Sequence, residues 1–89
     1  MVEIKEELNR YVIATFDNPT TYLSRYNGEY VFIDNLIECT KFTSRGTANQ
    51  LKKYFYQDTG LTDIELVVIP LKIEYRLINE LEWIDLFNV

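Results

Sequence analysis

Two acidic pairs, Asp63 with Glu65 and Glu80 with Glu82, come nearest in this chain to a catalytic or metal-binding constellation. Paired carboxylates serve glycoside hydrolysis when their side chains converge across a substrate, and Asp-rich loops with a turn glycine hold calcium. Here the members of each pair alternate along polar sequence with no such loop around them, so they read as surface charge. Cys39 precedes Thr40 and Lys41, and a lysine beside a thiol can lower its pKa. The chain has no histidine, however, and Cys39 is its only cysteine. Histidine-dependent triads, Cys–His nucleophile pairs and histidine metal ligands are therefore impossible. One cysteine likewise rules out an intramolecular disulfide and a cysteine-based zinc finger. A solitary cysteine is usually a small buried hydrophobe. The expectation is a protein that is not an enzyme and uses no cofactor and no metal.

Binding chemistry is better represented. Residues 1–57 carry seven acidic and seven basic side chains, whereas residues 58–89 carry seven acidic against two basic, so the net charge of −5 sits in the last third. Such asymmetry steers a basic partner toward one end of a molecule, although charge of this kind also simply keeps a small protein soluble. The candidate partner-binding residues are Asp63, Glu65, Glu74, Glu80, Glu82, Trp83 and Asp85. A sequence pI near 4.6 disfavours direct binding to nucleic acid. Lys41, Arg45, Lys52 and Lys53 form the one local cluster suited to phosphate contacts. Tyr11, Tyr22, Tyr26, Tyr30, Phe32, Tyr54, Phe55, Tyr56 and Trp83 can stack on bases, but they suit a core or a protein interface better.

The elements that must position these residues follow from pattern. A chain of 89 residues, 47% hydrophobic with three glycines and two prolines, fits one folded domain with little linker. Its charged N-terminal stretch, Glu3 to Glu7, does not resemble a secretory signal. The apolar run Leu66–Leu71 is far too short for a membrane helix. The expectation is a cytoplasmic protein. Residues 2–9 fit either a short strand or one helical turn. Arg10–Phe16 is rich in β-branched and aromatic residues and ends at Asp17-Asn18-Pro19, which marks a strand followed by a turn. Thr20–Tyr26 and Glu29–Ile33 flank Asn27-Gly28, the strongest short hairpin signal, because both residues tolerate the positive φ of a type I′ turn.

Leu36–Phe42 fits a turn of helix or an irregular link. Thr43 and Ser44 offer caps, and Thr47 with Gln50 offers a capping box for a later start. Ala48, Leu51 and Phe55 share one face of a helix over residues 44–58, with Lys52 and Lys53 placed near its end and Gly60 as its stop. Leu71, Ile73, Tyr75 and Leu77 alternate with Lys72, Glu74 and Arg76 within a final strand spanning 64–78. Pro70 in that strand demands an edge, a bulge or a division in two. Leu81, Trp83, Ile84 and Phe87 make a short second helix or an apolar tail. The sum is an α+β domain: an antiparallel, or alternatively mixed, sheet of three or four strands with one main helix on one face, in the order β-β-β-α-β.

Tyr11-Val12-Ile13, Tyr22-Leu23, Gly28-Glu29-Tyr30-Val31-Phe32, and the run Glu38-Cys39-Thr40-Lys41-Phe42-Thr43-Ser44-Arg45 with Ala48 also carry a resemblance. Over about half the chain this pattern resembles small accessory proteins of phages and prophages of Gram-positive bacteria, with Cys39 where those proteins commonly have alanine. The resemblance brings no functional residue with it. It implies a phage context, in which small acidic proteins inhibit host defence or bind host enzymes. The functional expectation is a non-enzymatic inhibitor of a host protein with a basic surface, most concretely an anti-CRISPR protein acting on a Cas nuclease in the host cytoplasm. The alternatives are a small nucleic-acid-binding or regulatory module using the Lys41, Arg45, Lys52 and Lys53 cluster, or a structural protein that forms a homodimer through its Leu81–Phe87 tail.

Overall fold

The computed structural model describes residues 4–77, which form strands β1 (Ile4–Thr15), β2 (Tyr22–Tyr26) and β3 (Glu29–Ile33), helix α1 (Arg45–Thr59) and strand β4 (Leu66–Leu77). The strands make one open antiparallel sheet in the order β3-β2-β1-β4 with α1 against one face, so the expected α+β class and β-β-β-α-β order hold and the mixed sheet does not. The second helix or tail at Leu81–Phe87 lies outside the described residues.

β1 is longer than its composition advertises. The stretch read as a strand or helical turn continues into Arg10–Thr15 as a single strand. Its register with β4 runs unbroken from Ile4 opposite Leu77 to Thr15 opposite Leu66. Pairing along a whole partner strand overrides the weak strand preference of Glu6, Glu7 and Asn9. Pro70, opposite Tyr11, lies inside this ladder on the sheet's outer strand, the edge option among the three it allowed.

Alternation assigns the two faces. Ile13, Leu23 and Leu66 meet Ala48 and Phe55 of α1 and Phe42 to form the core, with Tyr11, Tyr30, Leu51, Tyr56 and Val68 around it. Phe55, 2% exposed, is the hub: the rings of Tyr30, Phe32 and Tyr56 approach it edge-on at 5.5, 5.6 and 5.8 Å. The helix begins at Ser44, whose extended backbone and side-chain acceptor for the Thr47 N–H make it the cap, one turn before the Thr47–Gln50 alternative. It ends at Gly60, whose φ of 70° is left-handed. Lys52 and Lys53 are not near that end: the last turn holds no basic residue, so they do not offset the helix dipole. Asn27 and Gly28 have φ of 52° and 80°, the paired positive values of a type I′ turn, and Tyr26 faces Glu29 across it.

The link from β3 to α1 is irregular and crosses the opposite face of the sheet. There the Ser24 hydroxyl accepts the Thr40 N–H at 3.0 Å, and the Tyr26 hydroxyl donates to the Glu38 carbonyl. Asn35 folds the link's start by accepting the Ile37 N–H at its side chain and the Cys39 N–H at its carbonyl. Cys39 is buried here, and its thiol donates to the Leu36 carbonyl. Burial pushes this thiol above its ordinary value of 9.0, against the smaller opposing pull of Lys41. A raised folded value means the neutral thiol contributes stability that is complete below the ordinary value and is lost as pH rises through the folded one. Alkylation of Cys39 at mildly alkaline pH is accordingly expected to be at least about tenfold slower in the native protein than in urea. Equal rates, read by mass spectrometry, would contradict the buried placement.

Candidate partner-binding cleft

Because β1 and β4 are antiparallel neighbours, the end of one and the start of the other lie together at one end of the sheet. The loop after β1 and the loop before β4 therefore flank a single cleft of about 500 Å³, lined by Thr15, Phe16, Asp17, Thr21, Phe32, Asp63, Ile64 and Glu65. Each wall is held by its own hydrogen bonds. On one side Thr15 and Thr21 clamp the loop: the Thr15 N–H donates to the Thr21 carbonyl at 2.9 Å, and the Thr21 N–H donates to the Thr15 hydroxyl at 3.2 Å. The Asp17 N–H reaches the same hydroxyl at 3.4 Å. The loop between them contains a cis Asn18–Pro19 bond.

On the other side the Tyr56 hydroxyl reaches out of α1, donating to the Ile64 carbonyl at 2.6 Å and accepting the Leu66 N–H at 3.0 Å. Glu65 sits between those two residues, so a helix side chain fixes the backbone that presents it. Tyr56→Phe is expected to cost about 1–3 kcal/mol, because it strips both partners from one strand start. Urea denaturation checks this, and a loss near zero would show that water replaces the hydroxyl freely.

The cleft can do one thing well. Three carboxylates, Asp17, Asp63 and Glu65, stand around two exposed rings, Phe16 at 69% and Phe32 at 39%. Carboxylates attract ammonium and guanidinium groups, and aromatic faces stack on their delocalised or alkyl parts. Phe32 also rests its ring against Phe55, so one wall is anchored in the core. Among the described residues, no three acidic or thiol side chains gather closely enough to hold a metal ion.

The structure thus brings together Asp63 and Glu65 with Phe32, one of the aromatic residues suited to a core or a protein interface, and adds Asp17 and Phe16, which the sequence did not single out as partner-binding residues. Glu74 lies elsewhere, on the exposed half of β4, roughly 30 Å from Glu65 along an extended strand. Glu80, Glu82, Trp83 and Asp85 lie outside the described residues. The basic cluster divides. Lys41 belongs to the link before the helix, where its ammonium donates to the Ile37 and Cys39 carbonyls at 2.6 and 3.0 Å. Arg45 stacks its guanidinium over the Tyr11 ring at 5.0 Å. Lys52 is half-buried and Lys53 exposed on α1. On α1's flank toward β3, the Tyr30 hydroxyl donates to Asp58 at 2.6 Å and accepts from Arg25 at 3.3 Å. The bond to Asp58, aided by burial, holds the Tyr30 phenol above its ordinary value.

No family model, curated protein or solved structure gives a significant match to the chain. No helix among the described residues is long and apolar enough to cross a membrane.

Proposed function

We propose that this protein is a non-enzymatic binding protein whose acidic, aromatic-walled cleft receives lysine or arginine side chains from a basic surface of a partner protein. The observation that carries this reading is the convergence of Asp17, Asp63 and Glu65 around Phe16 and Phe32 on two hydrogen-bonded loops. In its most concrete form the partner is a host defence enzyme, and the protein is a phage-type accessory inhibitor that occupies a basic, nucleic-acid-binding groove such as that of a Cas nuclease. Electrostatic complementarity of this sort favours fast association and register, while the exposed rings supply the desolvated anchor that acidic residues alone lack. The resemblance to phage accessory proteins and the absence of histidine from the chain support the same reading. Direct phosphate binding draws less support, because Lys41 and Arg45 are both engaged within the chain.

The test is inhibition of a Cas nuclease, measured as cleavage of its DNA substrate, with the wild-type protein and a charge-reversed Asp63→Lys/Glu65→Lys variant. Inhibition by the wild type that the variant loses supports the reading. Equal inhibition by both would overturn the electrostatic cleft, and none by the wild type would overturn the nuclease as target.

A further inference from the structure

β4 forms the outer edge of the sheet, and among the described residues no strand pairs with its far side. Edges of this length are blunted by bulges, by short strands, by covering segments, or by proline and charged side chains, and β4 carries only devices of the last kind, Pro70 and Lys72. Here the register with β1 runs through all twelve residues without a bulge. The direction of the main-chain groups follows from β1. Tyr11 exchanges both its bonds with Phe42, and the Thr15 N–H goes to Thr21, so these two residues direct their polar groups toward the β2 side. Alternation then turns Leu8, Arg10 and Val12 toward β4, and their partners Ile73, Leu71 and Ile69 toward β1. Lys72 and Glu74 are left pointing their N–H and C=O groups outward, as is Pro70, whose missing N–H falls on that open edge.

The side chains along this edge are self-complementary. We propose that two copies of the chain associate through β4, antiparallel and centred on Ile73, to make one continuous eight-stranded sheet. In that register Lys72 of each copy faces Glu74 of the other, and each pair exchanges two main-chain hydrogen bonds. Centring on Lys72 or on Glu74 would instead set that residue against itself. Glu7 and Glu74 lie directly opposite one another within one chain, and the Lys72 ammonium lies 3.5 Å from Glu7 on the same face. The second copy's Lys72 adds a cation to the same row.

The opposite face argues independently for this join. Leu71, Ile73 and Tyr75 line an apolar groove of about 480 Å³ with Leu36 and Ile37, the latter 85% exposed. In the paired arrangement Ile73 meets Ile73, and Leu71 meets the second copy's Tyr75, so the two grooves merge across the two-fold axis. An isologous contact of this kind closes on itself and leaves no further edge of β4 to propagate.

Size-exclusion chromatography with light scattering on the full chain, over low to high micromolar concentration, is expected to show a dimer. Lys72→Glu should weaken it roughly tenfold or more in Kd, and Lys72→Glu/Glu74→Lys should restore it. Ile73→Cys in a Cys39→Ser background should form an intermolecular disulfide under mild oxidation, because residues facing each other in a non-hydrogen-bonded pair have Cα atoms about 4.5 Å apart, within disulfide reach. This readout stands even where Lys72→Glu does not fold. A monomer throughout the range would overturn the proposal. So would a dimer that ignores Lys72→Glu and leaves the Ile73→Cys variant uncross-linked.

Discussion

Replacing Phe55 by alanine is expected to lower the unfolding free energy by about 3–5 kcal/mol, the usual range for a phenylalanine deleted from a packed core. Phe55 is 2% exposed and receives three aromatic rings edge-on, two from β3 and one from its own helix. A cavity at that position cannot be refilled by one neighbour's rotation, since the rings around it are held by two different elements. For a domain of this size the whole stability is about 5–13 kcal/mol, so the variant should be largely unfolded at moderate urea. Tyr54→Ala, one position along the same helix but on its exposed side, should change stability by no more than about 0.5–1 kcal/mol. Equal losses at the two positions, measured by urea denaturation followed by circular dichroism, would show that α1 does not pack on the sheet through Phe55.

Reversing both acidic residues of the α1–β4 loop, Asp63→Lys with Glu65→Lys, is expected to weaken binding of an arginine-rich peptide about ten- to hundredfold. That corresponds to roughly 1.4–2.7 kcal/mol and is of the order expected when attraction becomes repulsion at a partly exposed site. Glu74→Lys makes an informative contrast. It lies roughly 30 Å from Glu65, several Debye lengths at physiological salt, so its reversal should leave the peptide's Kd within about twofold. Isothermal titration at two salt concentrations reads both effects. If Glu74→Lys weakened binding as much as the loop reversal, net charge rather than the cleft would govern association.

Local signals carried much of this fold. Asn27-Gly28 marked its turn because positive φ at both positions closes a two-residue hairpin, and Gly60 stopped the helix for a related reason. Ser44 and the spacing of Ala48, Leu51 and Phe55 located α1 to within one residue at each end. The first half of β1 was ambiguous, because Glu6, Glu7 and Asn9 hold strand geometry only through the ladder with residues some 65 positions later in the chain. The cleft was half legible. Asp63 and Glu65 stood out as charge, but Asp17 read as a turn residue and Phe16 as the end of a strand. Their convergence depends on β1 and β4 being neighbours, a long-range fact that no local spacing encodes. The basic cluster shows the converse error: Lys41 and Arg45 are near in sequence to Lys52 and Lys53, yet one ties down a loop and the other covers a tyrosine ring.

The most direct measurement is an amide chemical-shift map of the full-length protein titrated with an arginine-rich peptide. The expected result is a set of saturable shifts concentrated at Thr15, Phe16, Asp17, Thr21, Phe32 and Asp63 to Glu65, reduced by added salt and absent in the Asp63→Lys/Glu65→Lys variant. Shifts spread evenly over all exposed acidic residues, or none at the cleft at saturating peptide, would contradict a binding site built by those two loops.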